Sequence, residues 1–243
     1  MSNINTFLTK IQALNKENII KVNVPSLSAV EFLPLSVKQQ KDLIKSSLDG
    51  SLAGILINNT INDIINENNV NKVPLLVTDK LPIVIALRIQ AFGSFYKTAE
   101  TTIDLANIVN RPLVFNTKSP STINYKDIFS IDLKVPTLDE DTTINNTLTQ
   151  QYKNNTDIQI SDVASNLYVV EITKFIRKIT INSETIDFTA ITDTEKQQIV
   201  EQLPVQLNQL VLDFISNFRT TETKYLTIGE TEISIDTQFF TKE

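Results

Sequence analysis

The 243-residue chain contains no cysteine, no histidine and no tryptophan, and only four glycines. Without cysteine there are no disulfides, thiolate nucleophiles or thiolate metal sites, and nothing ties the chain to an oxidising compartment. Without histidine there are no His-dependent triads, no imidazole ligands and no proton shuttle of the usual kind near neutral pH. The glycines stand alone at 50, 54, 93 and 229, so no glycine-rich loop is available to cradle a phosphate. Apolar runs are short as well. The longest, Ile83 to Leu87, falls far below the roughly 20 residues that a bilayer span requires, and the N-terminus shows no charged-then-apolar leader pattern. Lysine and arginine are outnumbered 22 to 28 by acidic residues and are scattered, which leaves no electrostatic footprint for nucleic acid. The expectation is a soluble protein, cytoplasmic where it is made, that takes no nucleic acid and has no membrane-spanning segment.

What is present suffices for a core: a chain of this length buries about 70% of its unfolded surface. Its most legible stretch runs from Val22 to Gly93. Val22 to Leu35 alternates apolar and polar residues and predicts a β-hairpin. Ser36-Val37-Lys38-Gln39 has capping-box spacing, opening a helix with Val37, Leu43, Ile44 and Leu48 as its inner stripe and Gly50 as its stop. A second helix is predicted over Leu52 to Asn68, with an inner face of Leu52, Ile55, Leu56, Ile61, Ile64 and Ile65 and a wet face of Asn58, Asn59, Asn62, Asp63 and Asn66. A third starts after Thr78 or Asp79 as cap, with Pro82 in its first turn. It is apolar nearly all round apart from Arg88, which marks it as a central core helix with Arg88 as a paired or snorkelling structural residue. Ahead of this stretch, Met1 to Asn18 reads as an amphipathic helix carrying Ile4, Phe7, Leu8, Ile11 and Leu14, a stripe expected to pack within its own domain.

Beyond Gly93, Thr101 to Leu105 reads as a strand or turn. Pro112 to Phe115 and Ile128 to Pro136 read as strands, the second alternating cleanly. Thr137 to Asp157 is the most polar segment and predicts an exposed linker with at most a short helix. Its carboxylate triplet, Asp139, Glu140 and Asp141, is of a kind that can hold a hard cation, but without a glycine-containing loop of EF-hand spacing it reads as a solvated turn or helix start. A helix is predicted from Ser161 or Asp162 through Lys178, then an extended link at Thr185 to Phe188. Thr192 to Glu195 is a second capping box, Pro204 a stop, and Leu207, Leu210, Val211, Phe214, Ile215 and Phe218 the stripe of a further helix. Lys224 to Ile228 and Thr231 to Ile235 flank Gly229-Glu230 as a terminal hairpin, with Phe239-Phe240 as an aromatic plug.

The fold expected is α+β and mainly helical, with an N-terminal β-hairpin, a central buried helix and a C-terminal β-hairpin. Three parts are expected: residues 1–136 as a hairpin-plus-helices unit, 137–157 as a polar linker or excursion, and 158–243 as a helical unit with the terminal hairpin. The order of these features resembles the baseplate protein family of T-even-type contractile-tailed phages, whose members include a hub subunit and a hub assembly factor. The resemblance is carried by Val24-Pro25-Ser26, by Glu31 to Lys41, by Leu81 to Gly93 with its Leu87-Arg88 and Gly93, by the Ile172–Ile179 helix, by the Thr192 helix start, by the aromatic helix to Phe218 and by the terminal hairpin ending in Phe239-Phe240.

It implies a structural component of the central hub region of the tail baseplate, located in the virion, working by contacts with other hub or tail proteins in an oligomeric assembly. Not an enzyme, it would have no catalytic, cofactor-binding or metal-binding residues. The alternatives are an assembly catalyst or chaperone absent from the mature virion and, more remotely, a tail-associated glycoside hydrolase, which needs only two carboxylates. The docking elements expected are the Met1–Asn18 helix, the Thr137–Asp157 linker and Phe239-Phe240.

Overall fold

A computed structural model describes residues 3–48, 52–98, 101–115, 121–153, 160–236 and 238–241. Its contacts divide the chain into two units, Met1–Leu113 together with Tyr225–Glu243, and Val114–Lys224. The α+β, mainly helical reading holds, and all three named landmarks are present. The division differs from the expected one, because the chain returns to its first unit at the end and the polar stretch 137–157 lies inside the second.

In the first unit, α1 (Asn3–Glu17) precedes the hairpin of β1 (Ile20–Val24) and β2 (Leu27–Phe32), registered Ile20 to Phe32 and Val22 to Val30. Alternation buries Val22, Val24, Val30 and Phe32 on one side. The hairpin turn is held from afar: the Ser26 backbone N–H and hydroxyl both donate to the carboxylate of Asp79, which also accepts from the Leu76 N–H. Asp79 stands at the N-cap of α4 (Lys80–Phe92) but makes no side-chain cap there; its oxygens serve the β-turn instead. The capping box of α2 (Val37–Ser46) forms as expected, Ser36 Oγ accepting from the Gln39 N–H and Gln39 Oε1 from the Ser36 N–H. The predicted stop at Gly50 lies outside the described residues.

Helix α3 (Ala53–Asn68) corrects the wet asparagine face. Asn59 and Asn62 are buried beside Ile55, Ile61, Ile64 and Ile65, while Asp63 stays exposed. At its end Asn68 exchanges hydrogen bonds with the side chain of Gln39, and its carbonyl accepts from Leu33, joining α2, α3 and the hairpin. Helix α4 packs on β1 and α3 and is buried on nearly every side. Arg88 is paired within the fold, donating to the carbonyl of Gly93 at 2.9 Å and lying over the rings of Phe92 and Tyr96. Gly93 takes φ +88, a left-handed conformation that releases the chain from the helix. There follow β3 (Phe95–Lys97) paired with β4 (Thr102–Asp104), and α5 (Ala106–Val109). Pro112 to Phe115 does not form the expected strand. At the far end, Phe239 and Phe240 are buried in this unit, Phe239 against Tyr96 at 5.3 Å, and the Phe240 carbonyl accepts from Gln40.

The second unit is built on one antiparallel sheet, β5 (Thr122–Tyr125), β6 (Phe129–Leu133), β7 (Ile176–Ile181) and β8 (Glu184–Asp187), in that order. β7 replaces the last three residues of the helix expected through Lys178: α7 (Ile160–Phe175) stops at Phe175, and the β-branched run from Ile176 pairs Ile131 with Ile179. Asn182 and Ser183, both at positive φ, make a two-residue turn that brings in β8, where only an extended link was expected. The predicted cap at Ser161 or Asp162 lies outside the described side chains.

The sheet joins strands from before and after 137–157, so that stretch cannot separate two folding units. It forms α6 (Leu138–Lys153), a buried helix whose inner stripe is Leu138, Asp141, Asn145, Leu148 and Tyr152. Polar residues within the stripe hid its periodicity. Helix α8 (Asp193–Glu201) opens with the expected Thr192–Glu195 capping box, and Pro204 separates it from α9 (Val205–Leu226). Leu207, Val211 and Ile215 pack with Ile131, Ile179 and Phe175 into the core. Helix α9 runs eight residues past Phe218, so that Tyr225 and Leu226 belong to it and the terminal hairpin shrinks to β9 (Thr227–Ile228) and β10 (Thr231–Glu232).

Candidate interaction surfaces

The face of α1 that was expected to pack at home is bare. Ile4, Phe7, Leu8, Ile11 and Leu14 are all between 40% and 65% exposed. Covering one such side chain fully is worth about 1.5–3 kcal/mol, so an open stripe of five is large for a free surface. Part of α2 behaves likewise. Of its expected inner stripe only Leu43 is buried; Val37 and Leu48 are 74% and 78% exposed, because Gln39 is drawn inward by Asn68 and Glu67 and turns the helix with it.

A third apolar surface lies in the second unit and had no counterpart among the sequence expectations. The sheet alternates: Ile123, Tyr125, Phe129, Ile131, Ile179, Ile181 and Ile186 share one face, with Glu184 opposite Ile181 at its edge, and Thr122, Asn124, Ser130, Asp132, Lys178 and Thr180 share the other. Helices α8 and α9 cover the inner part of the apolar face. Its outer part, Tyr125, Phe129, Ile181 and Ile186, forms with Ile199, Leu203 and Leu207 an open groove of about 880 Å³. Only Lys126 and Glu195 contribute charge to the lining. The signal that could have revealed it is the alternation in Ile179-Thr180-Ile181, just past the helix expected through Lys178.

Several carboxylates of the second unit make structural contacts. Of the Asp139-Glu140-Asp141 triplet, Glu140 caps α6 with Thr137 and pairs with Lys134, Asp141 meets Lys174 at 2.7 Å in a buried ion pair, and Asp139 is exposed. The triplet is thus a helix start whose members diverge. No group of three or more potential metal-ligating side chains occurs among the described residues. Lys174 also contacts Glu171, which reaches Arg219, so α6, α7 and α9 are joined by charge. Burial pushes the Asp132 carboxyl up, but hydrogen bonds from Thr122, Lys178 and Arg177 outweigh it and hold it below its usual range. Glu140 follows the same pattern, burial being outweighed by Lys134 and Thr137. The Thr189 side chain lowers exposed Asp187, and the Thr192 backbone lowers exposed Glu195. A glycosidase acid requires the opposite shift. In the first unit, burial pushes the Tyr225 phenol up to about 12, against a smaller pull from Arg111.

The expected docking elements therefore part company. The α1 stripe is available, the 137–157 segment is largely an internal helix, its residues 154–157 lying outside the described ones, and Phe239-Phe240 is buried. No described helix is long and apolar enough to cross a membrane. No curated protein and no solved structure matches the chain. One family model does, described as T4 bacteriophage base plate protein, over residues 17–228 and hence through both units. The chain therefore belongs to the T4 bacteriophage base plate protein family and is a structural component of a phage baseplate, in the virion tail and in contact with other tail proteins.

Proposed function

We propose that the chain is a subunit of the central hub of the baseplate and acts through its surfaces during tail assembly, without bond chemistry of its own. The observation that carries this reading is the bare stripe of α1, a helix folded with its apolar face uncovered. Such a face gains its stabilisation only when a neighbour covers it. The hub assignment rests on the order of features from Val24 to Phe240 given above. The non-enzymatic reading is supported by the lowered carboxyls of Asp132, Glu140, Asp187 and Glu195, which suit ion pairs and helix caps and oppose proton donation near neutral pH.

Quantitative mass spectrometry of purified virions and of isolated hub intermediates tests this. A small, fixed copy number in both is the expected result. Presence in intermediates and absence from virions would replace the subunit with an assembly factor, and absence from both would end the hub reading. A zymogram on bacterial cell wall should remain uncleared; clearing would restore the hydrolase.

A further inference from the structure

The uncovered surfaces of α1 and of the second unit have opposite shapes. Helix α1 is a ridge: Ile4, Phe7, Ile11 and Leu14 recur at alternating steps of three and four, with Leu8 alongside. The sheet face is a groove of about 880 Å³ with Tyr125, Phe129, Ile181 and Ile186 on one wall and Ile199 and Leu203 on the other. Small-molecule sites combine apolar walls with a few free polar groups that fix orientation. Here two of the polar groups are engaged elsewhere, the Tyr125 hydroxyl donating to Gln206 and Glu195 accepting from the backbone and hydroxyl of Thr192, and apolar side chains make up most of the remaining lining. A groove of this kind suits a row of apolar side chains on a helix.

Charge selects which helix. The chain carries a net −6, yet α1 holds two lysines, Lys10 and Lys16, and a single acid, Glu17, at its end. With +1 on α1, the rest of the chain carries −7 (−6 less +1), so the helix is drawn to the acidic body of another copy and gains nothing from a second α1 of the same sign. Two heptads also make a marginal coiled coil by themselves.

We propose that α1 of one copy docks in the sheet groove of a second copy, ridge into groove. The contact is head-to-tail, so each chain offers both halves, and repetition produces a closed ring or an open string depending on the rotation per step. This holds whether the chain remains in the hub or leaves after assembly.

Sedimentation of the full chain tests it with two double variants, Phe7→Glu/Ile11→Glu on the ridge and Ile128→Glu/Ile186→Glu on the groove, which Ile128 lines beside Phe129. All four positions are exposed, and thermal melts establish that each variant folds. The wild type should associate with rising concentration, and each variant alone should lose at least about tenfold in affinity. An equimolar mixture of the two variants should form a dimer and nothing larger, since each supplies the surface the other has lost. A wild type that stays monomeric would overturn the proposal. Association kept by the groove variant alone would assign the contact to α1 pairs, and association kept by the ridge variant alone would give the groove a different occupant; either result overturns it.

Discussion

Helices α1 and α9 carry apolar stripes of the same period and end in opposite states. In α9, Leu207, Val211 and Ile215 are buried against the sheet of the second unit; in α1, Ile4, Phe7, Leu8, Ile11 and Leu14 face outward. The two sequences differ little in pattern. What differs is a partner: α9 has a four-stranded sheet with a matching apolar face, and α1 has nothing comparable among the described residues of its own unit. Periodicity says which side of a helix is apolar, and tertiary structure decides whether anything covers it.

That contrast is sharpened first where burial is strictest. Lys174→Ala would remove the buried ammonium that pairs with Asp141 at the α6–α7 contact, and about 3–5 kcal/mol of stability should be lost in denaturant unfolding. Leu207→Ala in α9 should cost about 2–5 kcal/mol by the same measurement. Acidification comes next. The Asp132 and Glu140 carboxyls titrate lower in the folded protein than in the unfolded chain, so their contribution is complete above the ordinary values of 3.8 and 4.5 and is lost as pH falls through the lower folded values. The melting temperature should therefore drop as pH is lowered below about 4.5, and less steeply in Asp132→Asn. Tyr225→Phe removes a buried hydroxyl that has no hydrogen-bond partner among the described residues, and stability should rise by up to about 1 kcal/mol. Smallest of all, Phe7→Ala and Leu14→Ala in α1 should change monomer stability by no more than about 0.5 kcal/mol, although their chemistry matches the costly change in α9. A large loss there would mean that α1 is covered at home.

Local signals were legible wherever neighbouring residues settle the matter. Both capping boxes, the Pro204 stop, the Val22 hairpin, the buried α4 and the internally paired Arg88 could all be read from short stretches of chain. Non-local choices were not. Ile176 to Ile181 fits a helix face as well as a strand, and only pairing with β6 decides it. The buried asparagines of α3 and the Asp141–Lys174 pair between α6 and α7 look like solvent residues until their partners are known. The return of Phe239 and Phe240 to the first unit depends on contacts with residues such as Tyr96 and Gln40, far away in sequence. The candidate surfaces divided in the same way: the residues of the α1 stripe were evident and its exposure was not, and the sheet groove required the strands to be placed.

The most direct test of the account is hydroxyl-radical footprinting of α1 in the isolated protein and in assembled baseplates. Phe7, Leu8 and Leu14 should be oxidised readily in the chain at monomeric dilution and protected in the particle, while Leu207 and Val211 stay protected in both. Equal oxidation of the α1 side chains before and after assembly would contradict the claim that this chain works in the baseplate through that helix.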